Sequence, residues 1–561
     1  MMKELGKKEG NVEVSELAYL DQENIASTND SAVEGVIGEK EGQGQYKRSF
    51  KTRHIQIVTL GSNIGSGIFI STGKALRFAG PGSMIISYTI VCSMVICVLE
   101  IITELSILYP SSGNFIDFTE RFLDPAAAFA IGLGEWLAWT TVMASEGAAV
   151  ATLVTYWTTK VPVAAWMSII IVLTFMIHAL PIIWFAEFQY GTAVIKVIML
   201  LMILISCIVM CAGGGPTGSI HNGQFWDSSK YDIFNNGVRG FSFSCLYCLW
   251  GVGDQIFVGM LAGESESPRF SLPRTVKSAG LRIFGFFMIL VMFITLLVPE
   301  SDPRLWGTAG SIASSPFIIA MNDAGIKYLP DVINGLMVVC LALGGLEPVY
   351  IAARCIRHLA IRGMLPKFIA RVDKKGRPTW SLLITFIFTI VFTYMNCSGT
   401  GATVFTWFSS ITTTIFMVVW VVLGIVSLRF HMAIRAQNSD ILKQKHSWRA
   451  KLFPVGPIFL SLMSFLILMG LFYGSLFPVG GKPNAYDFFA TYLGVPLVLF
   501  AYICYKLYFR TSIPKLSEVD LLEGHRPLTT REIEIMDYYT SLPWYRRLLT
   551  YINTADSKEL T

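Results

Sequence analysis

The apolar residues of this chain fall into long runs that are separated by shorter polar segments. A helix needs roughly 20 consecutive apolar residues to cross the hydrocarbon core of a bilayer. Windows of that size identify twelve candidates. The predicted spans are residues 55–77, 82–109, 126–158, 162–184, 188–212, 239–262, 281–299, 331–360, 381–396, 401–429, 454–477 and 489–509. The pattern therefore predicts an all-α integral membrane protein with twelve transmembrane helices.

Polar segments flank the predicted membrane domain, residues 51–510, at both ends. Residues 1–50 are rich in Glu, Gly and Lys and contain no apolar run. They are predicted to be a disordered tail without a cleavable signal peptide. Residues 511–561 form a second polar tail. Because the number of predicted spans is even, both tails are expected on the same side of the membrane.

Lysine and arginine are distributed unevenly between the loops, and this distribution predicts the orientation. Loop 354–378 carries eight basic residues and loop 429–452 carries six. By contrast, loop 299–330 carries two and loop 396–401 carries none. Basic residues accumulate in the cytoplasmic loops of membrane proteins, so both tails are predicted to be cytoplasmic. The same loops explain the net charge of +5 without any nucleic-acid partner.

The composition argues against a soluble protein and against an enzyme. Of the 561 residues, 53% are apolar and only 15% are charged, with a mean hydropathy of +0.54. Soluble domains carry about 25% charged residues. The ten cysteines lie mostly inside apolar runs, without the spacing of a disulfide framework or a zinc site. No Walker A, HExxH, nucleophile-elbow or EF-hand pattern is present, so neither catalysis nor a cofactor is predicted.

Two of the predicted spans are interrupted by glycine and small polar residues. The first contains Gly61-Ser62-Asn63-Ile64-Gly65-Ser66-Gly67, and the sixth contains Trp250-Gly251-Val252-Gly253-Asp254. Glycine lets the backbone leave helical geometry, but lipid cannot pair with the N–H and C=O groups that are then freed. Such interruptions persist where they line a polar cavity. Close helix packing through small residues is the alternative interpretation.

The two interruptions occupy matching positions if spans 1–5 and 6–10 are repeats. Glycine-interrupted segments at matching positions indicate the central site of a secondary transporter. Freed N–H groups near Gly65–Gly67 suit a carboxylate, whereas freed carbonyl groups in the sixth span suit an ammonium group. A site that offers both chemistries fits a zwitterionic amino acid.

Ionisable residues inside the predicted spans are further candidates, because a charge at membrane depth is costly and is usually functional. Glu146 is a proton-carrier candidate, with a structural hydrogen bond to a neighbouring helix as the alternative. Lys196 is an isolated cation that can do the electrostatic work of a bound sodium ion, unless it snorkels to the membrane surface. Glu347 is expected to be neutralised by protonation or paired with a cation, which is a cationic substrate or, less readily, Arg354. Other acids in the predicted spans are Glu100, Glu104, Glu135 and Asp254.

Several motifs follow one another in one order between about residues 50 and 530. They include Arg53-His54-Ile55 before Gly61–Ile70, Glu104-Leu105 through Tyr109-Pro110, Tyr156-Trp157, Ala262-Gly263-Glu264 before Pro268-Arg269, and Leu297-Val298-Pro299. In these motifs the chain resembles the fungal amino acid permeases of the amino acid–polyamine–organocation superfamily. The stretches Val161–Trp166 and Phe185–Phe188 lean towards the cationic amino acid branch.

The resemblance implies a LeuT-like fold of twelve helices, with a five-plus-five inverted repeat and with helices 1 and 6 broken. It also implies proton-driven import of amino acids at a plasma membrane, with ubiquitin ligase machinery acting on lysines of the cytosolic tails. The residues predicted to bind substrate are Ser62, Asn63, Ile64, Gly65, Ser66, Gly67, Trp250, Gly251, Gly253, Asp254, Glu347 and Thr412. Glu146 and Lys196 are the predicted proton-coupling residues.

Three positions depart from the pattern of the family. Ile256 stands where members usually carry a glutamate, Leu346-Glu347-Pro348 replaces a stretch rich in Asn and Ser, and Ala138 stands where cationic permeases tend to have a serine. These departures leave two alternatives open. One is a transporter-like sensor that binds amino acids without net transport, and the other is a permease for another organic cation, such as a polyamine.

Overall fold

The computed structural model describes residues 64–111, 113–264, 268–305, 315–373, 376–397, 401–443, 447–526 and 530–547. Within these ranges the chain forms helices and loops, with no β-strand. The helices are α1 (Thr72–Leu108), α2 (Phe115–Phe122), α3 (Pro125–Val154), α4 (Val163–His178), α5 (Ile182–Cys211), α6 (Gly237–Val252), α7 (Phe257–Glu264), α8 (Pro268–Leu297), α9 (Pro316–Asp323), α10 (Leu329–Gly344), α11 (Leu346–Ile361), α12 (Thr379–Met395), α13 (Gly401–Ala436), α14 (Val455–Leu476), α15 (Ala485–Tyr492), α16 (Gly494–Phe509) and α17 (Thr530–Ser541). The all-α prediction is confirmed for the described ranges.

The first two predicted spans meet at a kink inside one helical stretch. A π-helical turn, Gly67–Ser71, leads directly into α1. Within α1, Gly80 has a φ of 76°, and Pro81 follows it. Glycine adopts a positive φ without the clash of a Cβ atom, and proline has no N–H to continue the helical hydrogen bonds. These two residues therefore turn the chain sharply where the sequence predicts a loop.

The predicted spans fall on apolar helices of unequal length. Within the part of the chain that the structure describes, seven helical stretches are long and apolar enough to cross a membrane. The pair α15 and α16, bent by 72°, makes an eighth if it is counted as one span. The kinked stretch Gly67–Leu108 contains parts of two predicted spans. Three shorter apolar helices, Val163–His178, Arg282–Leu297 and Thr379–Met395, coincide with the fourth, seventh and ninth predicted spans. Twelve separate crossings and the inverted repeat stay predictions.

Helix α3 lies at the centre of the bundle, where it packs against α11, α12, α13 and α16. The stretch Gly237–Met260 is also central. Of the residues in its 18-residue apolar segment 83% are buried, compared with 33% for Trp184–Cys211. The latter exposes large apolar side chains such as Ile198, Leu201 and Ile205. An apolar surface of this kind suits lipid and is unusual on a soluble protein.

The beginning of the predicted C-terminal tail is packed against the helical bundle. The Tyr109 hydroxyl donates a hydrogen bond of 2.9 Å to the Leu521 carbonyl. The Gln437 amide donates to the carbonyl groups of Leu516 and Val519, at 2.9 and 2.7 Å. Leu521 and Val519 are buried. The segment that composition assigns to a polar tail thus starts with residues that complete the fold, whereas the predicted N-terminal tail lies outside the described residues.

Candidate functional site

The predicted interruption of the sixth span is present in the structure. Helix α6 ends at Val252 and α7 begins at Phe257, so four residues between them are not helical. The first of these, Gly253, has a φ of 74°, which L-residues with a Cβ atom rarely adopt. The local sequence therefore positions the break.

The first span is described only from Ile64 onwards, so Ser62 and Asn63 lie outside the described residues. Gly65 is not helical, and the π-helical turn follows from Gly67. A Cβ atom placed on Gly67 would lie 2.5 Å from the Trp250 carbonyl oxygen and 2.7 Å from the Gly251 nitrogen. The two interrupted spans therefore touch through their backbones, and the close packing proposed as the alternative interpretation is real at this crossing.

The Glu146 carboxylate reaches the interrupted first span from α3. Its Oε1 atom accepts hydrogen bonds from the Ser66 hydroxyl at 2.8 Å and from the Ser66 backbone N–H at 3.3 Å. The Trp250 indole donates to the Ser66 hydroxyl oxygen at 3.3 Å. Ser66 is fully buried. The donors that the sequence analysis assigned to a substrate carboxylate are thus engaged by a carboxylate of the protein, and the structural hydrogen bond proposed as the alternative for Glu146 exists.

Lys196 on α5 stands beside two acids that are far apart in sequence. Its ammonium group acts electrostatically on both Glu146 and Glu347. Its Nζ atom lies 3.6 Å from where a Cβ atom on Gly344 would be. The side chain is only 4% exposed, so it does not extend to the surface as a snorkelling lysine would. We call Glu146, Lys196 and Glu347 the acid–lysine cluster.

Glu347 therefore faces a cation that the sequence did not connect with it. The sequence predicts a cationic substrate or Arg354 as its partner. In the structure Lys196 acts on it electrostatically, and its contact with a cationic substrate stays a prediction. The guanidinium group of Arg354 lies 3.3 Å from the centre of the Tyr350 ring and donates to the Tyr350 carbonyl at 3.3 Å. The helix spacing of Glu347 and Arg354 carries no information about Lys196, which lies on another helix.

Asp254 lies at the break of the sixth span, and its carboxylate is bound by a tryptophan. The Trp420 indole on α13 donates to Asp254 Oδ1 at 2.7 Å. On α3, the Trp139 indole donates to Glu135 Oε2 at the same distance. The sequence identified Glu135 as an ionisable candidate without a specific role, and it gave Trp139 and Trp420 no function. Tryptophans at membrane depth carry no local signal that separates a carboxylate donor from an apolar core residue.

Thr412 contacts α3 at the position where the chain departs from cationic permeases. Its hydroxyl lies 2.8 Å from the Thr141 hydroxyl and donates to the Ala138 carbonyl at 3.2 Å. The resemblance selected Thr412 and Ala138 independently, and the structure places them in contact. Both Thr412 and Thr141 are buried.

Comparisons with known proteins agree along most of the chain. A family profile described as amino acid permease matches residues 54–518. The chain is 32% identical over 518 residues to the amino-acid permease GAP3 of Candida albicans, covering 91% of this chain and 86% of that protein. It is 30% identical over 498 residues to the histidine permease of Saccharomyces cerevisiae, covering 87% and 82%. It is 31% identical over 484 residues to the S-adenosylmethionine permease GAP4 of Candida albicans, covering 86% and 79%.

Among solved structures, the chain is similar to a manganese transporter mutant from Eremococcus coleocola. The TM-score is 0.49 and the sequence identity 11%, over 84% of this chain and 98% of that chain.

Proposed function

Since this chain belongs to the amino acid permease family, we propose that it imports amino acids across the plasma membrane by symport with protons. The family that the motifs predict is confirmed by the match over residues 54–518. The family also makes the chain a multi-pass membrane protein. Coupling to protons is proposed from the acid–lysine cluster, and the plasma membrane from the resemblance.

The hydrogen bonds between Glu146 and Ser66 carry the proposal of proton coupling. An ionised Glu146 accepts hydrogen bonds from both the backbone N–H and the hydroxyl of Ser66, at 3.3 and 2.8 Å. A substrate carboxylate at the glycine-rich interruption needs the same donors. Protonation of Glu146 removes its charge and weakens these charge-assisted hydrogen bonds. A proton on Glu146 thereby releases Ser66 to the substrate, so that proton and amino acid favour each other's binding.

Lys196 provides the return step in this scheme. Its ammonium group acts on Glu146 and Glu347 from α5. When Glu146 loses its proton, the attraction between Glu146 and Lys196 strengthens, and Glu146 competes again for the Ser66 donors. A fixed ammonium group thus performs the electrostatic role that a bound sodium ion performs in a sodium-coupled transporter.

The proposed cargo is an amino acid whose carboxylate meets Ile64–Gly67 and whose ammonium group meets the carbonyl groups of Trp250–Gly253. Two relatives of 30% and 31% identity are named for histidine and for S-adenosylmethionine, so this level of identity does not determine the cargo. A preference for cationic side chains rests on Glu347, which Lys196 partly neutralises. We propose Thr412, with its neighbour Ala138, as the contact for the substrate side chain.

The orientation is proposed with both termini in the cytoplasm, on the basis of the Lys/Arg-rich loops. In that orientation the packed segment around Leu521 lies at the cytoplasmic end of the bundle. Lysines of the two tails are then accessible to ubiquitin ligase machinery, which we propose as a partner.

The test is uptake of a panel of labelled amino acids by cells that lack their own permeases and express this chain. We expect accumulation that is stronger at acidic external pH and abolished by a protonophore. Uptake that depends on sodium and does not change with external pH would contradict the proposed symport with protons. Binding without accumulation would favour the sensor, and uptake of polyamines without amino acids would favour the organic-cation permease.

A further inference from the structure

A second pair of buried acids, Glu135 and Asp254, lies away from the acid–lysine cluster. Glu135 precedes Glu146 by eleven residues on α3, which is about 16 Å along the helix axis. Asp254 lies in the non-helical break between α6 and α7. Both acids are 1% exposed. Their carboxylates lie close enough to act on each other electrostatically.

Each acid of this pair has one oxygen engaged and one buried oxygen without a partner. The engaged oxygens accept the indole N–H groups of Trp139 and Trp420, both at 2.7 Å. The others, Glu135 Oε1 and Asp254 Oδ2, are buried and have no hydrogen-bond partner among the residues that the structure describes. The two tryptophans belong to one aromatic frame, because the Trp139 ring lies 5.3 Å from that of Phe416, one helical turn before Trp420.

The charged and titratable surroundings of the pair come from a third helix. The Cys355 thiol on α11 acts electrostatically on both Glu135 and Asp254. Beyond it, Arg354 acts on Cys355 and lies over the Tyr350 ring. On α13, Trp420 donates to Asp254 and Phe416 packs against Trp139. Among the described residues, the charge that acts on Glu135 is that of Asp254.

Two carboxylates that repel each other in a buried site cannot both stay ionised at neutral pH unless a cation neutralises one of them or a proton binds to one of them. Hard metal cations take roughly six to eight oxygen ligands, whereas this pair offers two free oxygens. Among the described residues, no group of three or more His, Cys, Asp or Glu side chains is arranged to hold a metal ion. A single proton fits the two free oxygens.

We propose that Glu135 and Asp254 form a second proton-binding site, in which the two buried acids together bind one proton. The bound proton removes the repulsion between α3 and the break of the sixth span. Its loss leaves two like charges in one buried site, which pushes Asp254 and the adjacent backbone at Gly253 away from α3. The role of this site in transport rests on the proposed symport, but the binding of the proton does not.

Infrared spectroscopy of the purified protein in lipid bilayers tests the shared proton without any transport. We expect the carbonyl stretch of a protonated carboxyl group at neutral pH, with a midpoint for its loss in alkaline titration. In Glu135→Gln and in Asp254→Asn the remaining acid has lost its like-charged neighbour. Its midpoint should therefore move to lower pH, by about 1–2 pH units.

Two further variants are controls for misfolding and for a change of the titration midpoint that has another cause. Trp139→Phe keeps both acids and removes one donor to the ionised form, so the midpoint should move to higher pH. Asp227→Asn removes a carboxylate on an exposed loop and should leave the spectrum unchanged. If the band is missing from the unaltered protein, or if its midpoint in both acid variants equals that of the unaltered protein, the shared proton is refuted.

Reconstituted protein then tests the role of the pair in transport. We expect the charge moved per amino acid to fall by one elementary charge in Glu135→Gln relative to the unaltered protein. An unaltered protein that transports no amino acid would refute the proposed function while leaving the infrared titration valid. Unchanged charge stoichiometry in an active Glu135→Gln protein would refute the role of the pair in coupling.

Discussion

The carboxylate of Glu146 accepts a hydrogen bond of 2.8 Å from the hydroxyl of Ser66. The two residues lie 80 positions apart in the sequence, on two different helical segments. This contact engages a carboxylate of α3 at the point where the first span is interrupted. The Ser66 hydroxyl also accepts a hydrogen bond of 3.3 Å from the Trp250 indole, so both interrupted spans meet at one serine. A change in the charge of Glu146 therefore acts directly on the two segments that we propose to hold the substrate.

Glu146→Gln tests the coupling at this contact. Glutamine keeps the size of the side chain and an oxygen that Ser66 can donate to, but it carries no exchangeable charge. We expect exchange of amino acids across the membrane to persist, while accumulation against a gradient is lost and uptake no longer depends on pH. Counterflow and net uptake, measured in the same vesicles, separate the two. Accumulation with an unaltered pH profile would show that the coupling proton binds elsewhere.

Lys196→Met tests the ammonium group of the acid–lysine cluster. Methionine keeps much of the stem volume and removes the positive charge that acts on Glu146 and Glu347. We expect accumulation to fail or to become independent of the proton gradient, as measured with and without a protonophore. Lys230→Met, at a lysine with a side chain 72% exposed, is the matched control and should behave as the unaltered protein.

Gly67→Ala tests the backbone contact between the two interrupted spans. The added Cβ atom would lie 2.5 Å from the Trp250 carbonyl oxygen and 2.7 Å from the Gly251 nitrogen, which are backbone atoms that cannot rotate away. We expect loss of uptake together with a lower melting temperature of the purified protein. Gly191→Ala adds the same atom where nothing lies within 4 Å and should retain both properties. Normal uptake by Gly67→Ala would place the substrate site away from this crossing.

Glu347→Gln tests the cationic preference. If Glu347 faces the substrate, uptake of lysine and arginine should fall far more than uptake of neutral amino acids. If Glu347 serves mainly to balance Lys196, all substrates should be affected alike, because the imbalance changes the acid–lysine cluster and not the contact with the side chain. Competition by a panel of unlabelled amino acids measures the difference. Unchanged uptake of every substrate would place Glu347 outside the pocket.

Asp117→Asn tests an ion-pair network on α2, between the apolar stretches. The Asp117 carboxylate lies 2.6 Å from His358 Nε2 and 3.5 Å from Arg362 Nε, and the Ser111 hydroxyl donates to it. Burial raises the pKa of Asp117, but the charge and hydrogen bond of His358 and the charge of Arg362 outweigh it and hold the pKa well below its usual value. This carboxylate therefore stabilises the fold above its unfolded-state pKa for as long as His358 carries its charge.

The expected loss of stability in Asp117→Asn is on the order of 2 kcal/mol, typical of a hydrogen bond to a charged group. It should be constant from pH 7 down to about pH 4, the usual pKa of aspartate. Below that pH the stabilisation decreases as the pH falls towards the folded-state pKa. Thermal melting in detergent measures the loss. Asp440→Asn removes an acid whose side chain is 74% exposed and should cost little.

The local sequence was sufficient to predict where the helices lie and where the sixth span is interrupted. The apolar runs predict where helices lie, because the transfer of each side chain out of water depends on that side chain alone. The glycine at position 253 predicts the break in the sixth span, since a positive φ is a property of a single residue. The loop that the sequence predicts between residues 77 and 82 is a sharp kink at Gly80, because the chain continues as helix on both sides.

Sequence also identified Glu146, Lys196 and Glu347 as unusual residues, since a charge inside an apolar run is visible without any structure. Only the tertiary structure decided that these three residues form one cluster, and that Asp254 and Trp420 meet across 166 residues. The physical reason is that helix formation and membrane burial depend on neighbours in sequence, whereas a hydrogen bond between helices depends on how their surfaces pack. That packing is set by all the contacts of the bundle together, so no single motif contains it.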